Sequence, residues 1–135
     1  MSMTAKEWLG RARKLRLRLS ALEDSKQRSY ARAVSSTAGL GERVSGGEPG
    51  DKLAAYAAVS LAVDRQIEKL EQVRAEILQV IGQIEDNTLA TLLTEYYVND
   101  KTWEEVAVQM QYSWRQVMRL HGQALCEIRT ITGME

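Results

Sequence analysis

The chain has no phenylalanine, one proline, one cysteine and one histidine among its 135 residues. Each shortage closes a class of function. A lone cysteine, Cys126, forms no internal disulfide and fits a reducing cytoplasm, where the sequence places the protein. Cys126 and His121 sit on one predicted helix without facing each other, so the thiol–imidazole contact of a nucleophilic site is not available. A zinc site takes about four ligands, more than this Cys/His inventory supplies. No apolar run approaches the roughly 20 residues that span a bilayer. The opening MSMTAKEWLGRARKLRLRLS interleaves charges where a secretory signal needs a continuous apolar core. The glycine-rich GLGERVSGG lacks the Lys-Ser/Thr of a phosphate-binding loop and follows no apolar strand. Adjacent carboxylates such as Glu104 and Glu105 point in different directions on a helix. The reading is a protein that is not an enzyme and uses no cofactor and no metal.

What the chain does contain is helical periodicity. From about Thr4 to Val34, residues Trp8, Ala12, Leu15, Leu19 and Leu22 recur at alternating spacings of four and three, a heptad-like stripe. KLRLRL inside it alternates with the period of a strand, but the longer stripe favours helix and leaves Leu17 on another face. A linker follows, SSTAGLGERVSGGEPG over residues 35–50, expected to be partly mobile because its glycines and proline do not continue a helix. With Asp51 as predicted N-cap, a long helix then runs to about Ile84. Its seam is Leu53, Tyr56, Ser60, Val63, Ile67, Leu70, Arg74, Ile77, Ile81 and Ile84. At 1.5 Å per residue it is about 50 Å long. So regular a seam needs a partner helix, either the first helix folded back or a second copy. Arg74 interrupts the seam and is a candidate for fixing register.

Charge is divided unevenly beneath a formal net charge of zero. Residues 4–34 carry nine Lys/Arg against three acids, whereas residues 85–135 carry four against eight. The basic run is either a solvated helix face or a source of cation for a polyanionic partner.

The most informative stretch is KTWEEVAVQMQYSWRQVMRLHGQALCEIR, residues 101–129. Asp86 caps a helix from about Thr88 to Val98, and Asn99-Asp100 turns into this stretch. Thr102 with Glu105 makes a capping box, after which Trp103, Val106, Ala107 and Met110 share one helical face. Tyr96, Tyr97, Trp103 and Met110 are predicted core. Ser113 caps a second helix whose inner stripe is Val117, Leu120, Ala124, Leu125 and Ile128. Outward on it stand Trp114, Arg115, Gln116, Arg119 and Gln123. Arg is the commonest reader of guanine, and Gln pairs bidentately with adenine. Trp114 either stacks on sugar or a thymine methyl, or covers the turn. The plainer reading of this surface is an ordinary solvated helix face. His121 is expected to face solvent or a phosphate, and Gly122 to permit close helix packing. Two short helices joined in this way form a helix-turn-helix, whose second helix enters the DNA major groove.

YSWRQVMRLHGQALCEIR resembles the end of region 4 of bacterial sigma factors, with Ala124-Leu125 and Ile128-Arg129 at the matching close of the recognition helix. LLTEYYVNDKTWEEVAVQM is similar to the first two helices of that region. The arrangement also resembles phage and prophage regulators of the ArpU/RinA type, which act on late-gene transcription. The likeness covers residues 88–131. Such motifs often carry Gly where this chain has Gln111, and a non-Gly residue at positive φ costs about 1–2 kcal/mol. A turn of different construction is therefore an expectation here.

The expected architecture is all-α: a long N-terminal helical hairpin or coiled coil over residues 1–84, then a helix-turn-helix module over residues 85–135. The resemblance implies a sequence-specific regulator on double-stranded DNA, reading with Ser113, Trp114, Arg115, Gln116, Arg119 and Gln123. It also implies contact with RNA polymerase. The seam and the few base pairs one module reads imply a homo-oligomer, a dimer foremost. Two alternatives stand beside it. One is a small-terminase-like packaging component, in which the DNA-binding module usually comes first. The other is a protein-interaction module that has lost DNA binding, which the acidic excess keeps open.

Overall fold

The computed structural model describes residues 2–38 and 49–135, and among these every regular element is helical. The segment KLRLRL is therefore helix. Most of the expected mobile linker, residues 39–48, lies outside the described residues. At its edges the helices run further than the linker reading allowed, to Ala38 on one side and from Pro49 on the other. Proline suits a helix's first turn, because the N–H it lacks has no intrahelical partner there. Asp51 thus lies inside the first turn and is not the N-cap, and its carboxylate favours the positive end of the helix dipole.

The chain divides into two compact units, residues 1–14 with 71–135, and residues 15–70. The first unit begins with α1 (Ala5–Leu9), capped by Thr4 Oγ1, which accepts from the Glu7 N–H at 3.2 Å. A single helix from Thr4 was expected; instead α1 stops at Leu9 and α2 (Arg11–Ala38) starts after Gly10. Glycine is among the poorest helix formers, and the regular helix is interrupted there. Ala5 and Leu9, both off the predicted stripe, are fully buried, and α1 packs on the last helix. The Ala5 N–H donates to the Glu135 carbonyl at 2.7 Å.

Also in this unit are the end of α3 (Pro49–Ile81), α4 (Asn87–Leu93), a π-helical turn (Thr94–Val98), α5 (Trp103–Met110) and α6 (Trp114–Thr132). Asp86 caps α4 as expected, its Oδ1 accepting from the Thr88 and Leu89 N–H groups at 2.9 and 3.2 Å. The π turn widens the helix by one residue, so that the Asn99 N–H reaches the Thr94 carbonyl at 2.9 Å. Tyr97 is thereby buried, while Tyr96 and Trp103 are half-buried and stack with ring centres 3.7 Å apart. Of the four predicted core residues, Tyr97 is fully inside, and Met110, like Tyr96 and Trp103, is half-covered. Leu9, Ile77, Leu92, Leu93, Val106, Val117 and Ile128 form the packed centre.

Arg13 ties α2 to this unit. Its Nη1 donates to the carbonyls of Tyr96 (2.8 Å) and Lys101 (3.1 Å), lies 3.3 Å from Asp100 Oδ1, and its guanidinium covers the Tyr96 ring at 4.1 Å. Asp100 is in the left-handed region (φ 61°), which Asp tolerates better than most residues. Arg11 pairs with Glu76 at 3.0 Å. With Arg16 beside Glu23 and Arg28 beside Asp24, four members of the basic run have ion-pair partners.

In the second unit, residues 15–38 of α2 and 49–70 of α3 run antiparallel. Gln66 Nε2 donates to the Leu15 carbonyl at 3.1 Å, and Tyr30 meets Tyr56 with ring centres 5.7 Å apart. The first helix folds back along α3, and Leu19, Val63 and Leu70 are buried in this unit. Leu53 and Ile67, assigned to the seam, are exposed instead. Gln66, one position earlier than Ile67, takes the inner place with its amide satisfied. Leu17 is exposed, as the stripe predicts.

Candidate nucleic-acid interface

The helix-turn-helix is built from its caps inward. Thr102 Oγ1 accepts from the Glu105 N–H at 3.1 Å, and Glu105 Oε1 accepts from the Thr102 N–H at 3.0 Å. That reciprocal pair holds the Glu105 carboxyl below its usual range. α5 ends at Gln111, which adopts the left-handed conformation (φ 59°, ψ 42°). The turn is thus made with the geometry that glycine favours, at a strain of about 1–2 kcal/mol, and the expectation of a different construction is corrected. The Gln111 N–H is met by the Val108 carbonyl at 3.2 Å, and the Tyr112 N–H by Ala107 at 3.0 Å.

Ser113 opens α6. Its Oγ accepts from the Gln116 N–H at 3.2 Å, and Gln116 Oε1 accepts from the Ser113 N–H at 2.9 Å. A second capping box therefore engages Gln116, whose carbonyl oxygen is held in the cap. A bidentate adenine contact needs both ends of that amide, so the cap competes with it.

Along α6 the two faces separate cleanly. Val117, Ala124, Leu125 and Ile128 are buried and Leu120 is half-buried. Trp114, Arg115, Gln116, Arg119 and Gln123 are all exposed, Trp114 by 51%. Among the described residues, Arg115 and Arg119 have no ion pair, in contrast to Arg11, Arg13, Arg16, Arg28 and Lys101. At four-residue spacing they lie on one line of the helix, with Gln123 continuing it. Thus Ser113 and the five other candidates lie together on the first three turns of α6.

Two expectations are overturned. His121 does not face solvent or a phosphate. It is buried, with Nε2 2.7 Å from the Tyr97 hydroxyl, and the imidazole tautomer sets which of the two donates. Burial first, and the charge of Lys6 second, bring its pKa down to about 4, so at neutral pH the ring is uncharged. The helical period accounts for the miss: His121 lies between Val117 and Ala124–Leu125 on the inner stripe. Nor does Gly122 receive a neighbouring helix. It is exposed, and a Cβ there would meet nothing within 4 Å.

Sequence reasoning also missed Arg13, whose partners are more than 80 residues away. Its only local signal was a charged residue beside an apolar stripe. Three acids of this unit have partners of their own, whereas Glu127, exposed four residues beyond Gln123, continues the outward line of α6. Glu95 is bound to Lys101 and accepts from Asn99 Nδ2 at 2.8 Å, and its carboxyl is lowered chiefly by Lys101. Asp100 faces Arg13, and Glu105 is spent in its cap.

No protein-family model, no curated protein and no solved structure matches this chain. Among the described residues, no helix is long and apolar enough to cross a membrane and no cluster of three His, Cys, Asp or Glu is placed to hold a metal.

Proposed function

We propose that the protein is a sequence-specific DNA-binding transcription regulator that lays α6 in the major groove. The observation that carries the reading is the state of Arg115 and Arg119. Both are exposed and unpaired, aligned at the start of a doubly capped helix behind a tight left-handed turn. Arg in that position recognises guanine through O6 and N7, and the helix supplies the rigid support such contacts need. The likeness of residues 88–131 to sigma region 4 narrows the reading to a phage or prophage late-gene activator that also touches RNA polymerase. One module reads few base pairs, so a useful specificity calls for two copies on DNA or a second protein beside it.

A protein-interaction module without DNA binding is the second reading, and two observations favour it. Acids outnumber bases two to one over residues 85–135, and Val108 on α5 is 80% exposed.

One experiment separates the two: selection of bound sequences from a random duplex library near physiological salt, with the natural chain and an Arg115→Ala/Arg119→Ala variant in parallel. The regulator reading expects a defined motif that the variant loses, each arginine contributing about 1–3 kcal/mol at its base. Equal loss on all sequences would make both arginines phosphate contacts. No enrichment by the natural chain would end the regulator reading in favour of the interaction module.

A further inference from the structure

Between Leu53 and Val63 ten of eleven residues of α3 are apolar, with Ser60 the exception. A helix that is apolar all round is normally covered all round. Among the described residues of its unit, α3 is covered on one side only. On that side Val63 is buried and Tyr56, Val59 and Ala62 are half-buried, with Tyr56 against Tyr30 of α2. Leu53, Ala54, Ala57, Ala58 and Leu61 remain exposed, Leu61 by 50%. At 100° per residue, Ala54, Ala58, Leu61 and Arg65 face directly away from Val63, with Asp51 at their flank.

We infer that two copies of the chain join here, α3 against α3, antiparallel about a two-fold axis at Ala58. The charges at the ends of the face identify the occupant. Asp51 and Arg65 are both exposed, both lack an ion pair among the described residues, and each stands seven positions from Ala58. An antiparallel second copy sets the Asp51 of each chain beside the Arg65 of the other. A parallel copy would oppose like charges. One self-complementary surface therefore satisfies its apolar centre and both of its charged ends, as an isologous contact requires.

The packing is consistent with that register. Alanine at positions 54 and 58 lets the helix axes approach to about 8 Å, the near end of the usual range. Leu61 of one copy then lies over Ala54 and Ala55 of the other. The contact spans Asp51 to Arg65, about 21 Å of helix. The inference stands apart from the DNA-binding reading, and its failure would leave that reading untouched.

The test uses the full chain. Sedimentation over about 1–100 μM should give twice the chain mass, a range in which contacts of micromolar strength are resolved. Ala58→Glu brings two carboxylates together on the axis and should weaken association by about 100-fold or more, with helicity by circular dichroism unchanged. Asp51→Arg or Arg65→Asp alone should weaken it, and the two together should restore it. A second route does not depend on those variants. With the exposed Cys126 changed to Ser, Ala58→Cys chains should cross-link under mild oxidation, since a residue on the axis meets itself within disulfide reach. Val108→Cys chains, also exposed but on α5, should not. A monomer at every concentration would overturn the inference. So would a dimer that survives Ala58→Glu, or Ala58→Cys chains that cross-link no faster than Val108→Cys chains.

Discussion

Among the described residues, the seven largest side chains with less than 2% exposure all lie in the unit formed by residues 1–14 and 71–135, and none lies among residues 15–70. The second unit's best-covered aliphatic side chains, Leu19, Val63 and Leu70, keep 3–4% of their surface. The contrast follows from geometry. In the first unit α4, α5 and α6 with α1 surround a common centre, so a side chain there meets neighbours from several directions. In the second, two helices present one seam to each other, and among the described residues no further helix packs on their outer faces. Similar apolar content gives a closed core in one place and a half-covered pair in the other. Composition alone does not distinguish the two; the number of elements around each side chain does.

The sharpest way to break this comparison is truncation in each unit. Leu92→Ala, at the packed centre, should cost about 2–5 kcal/mol, read as a lower denaturation midpoint. Leu19→Ala should cost less, because water and a shifting neighbour can fill the space. Equal losses would mean that the second unit packs as tightly as the first.

A smaller effect comes from His121. Its folded pKa is lowered to about 4 from 6.5, so the unfolded chain takes up the proton first. Stability should therefore be full above pH 6.5 and fall as pH drops towards 4, where the loss levels off. The loss should total at most about 3–4 kcal/mol, since one pKa unit is worth about 1.4 kcal/mol, and less where solvent screens the ring. Urea midpoints at pH 7 and pH 5 measure it, and His121→Gln should flatten the slope. A midpoint indifferent to pH in the natural chain would remove His121 from the buried core.

The smallest effect sharpens the contrast between the two faces of α6. Gly122 is helical, exposed and free of neighbours, so Gly122→Ala should stabilise the chain by about 0.5–1 kcal/mol. In a DNA-bound state that Cβ would stand on the outward line with Arg119 and Gln123. Weaker duplex binding by this more stable variant would mark close approach there, and undiminished binding would place the duplex elsewhere on the helix.

How far the sequence was readable depended on the range of each contact. Caps are local: Asp86, Thr102 and Ser113 were assigned from residue type and spacing, and each makes the expected bond. The inner stripe of α6 was equally plain, because periodicity reports burial wherever one face is covered. His121 was misplaced through its polarity, although the same periodicity put it on the inner face. What stayed out of reach was long-range. Leu9 is off its own heptad because its partner is α6, and Arg13 serves carbonyls of a turn far along the chain. The seam failed at Ile67 for another reason: two paired helices place Gln66 inside, where the Leu15 carbonyl completes its amide.

The contact of α1 with α6, closed by the bond from Ala5 to Glu135, has a consequence in time. A ribosome makes about 5–20 residues per second, so α1 leaves it roughly 5–20 s before α6 begins, given the hundred or so residues between them. Over that interval Leu9 has no site to enter. The unit that holds α6 is therefore completed only after nearly the whole of the described chain has been made, and a ribosome stalled before residue 114 should hold its first helix as an exposed, waiting segment.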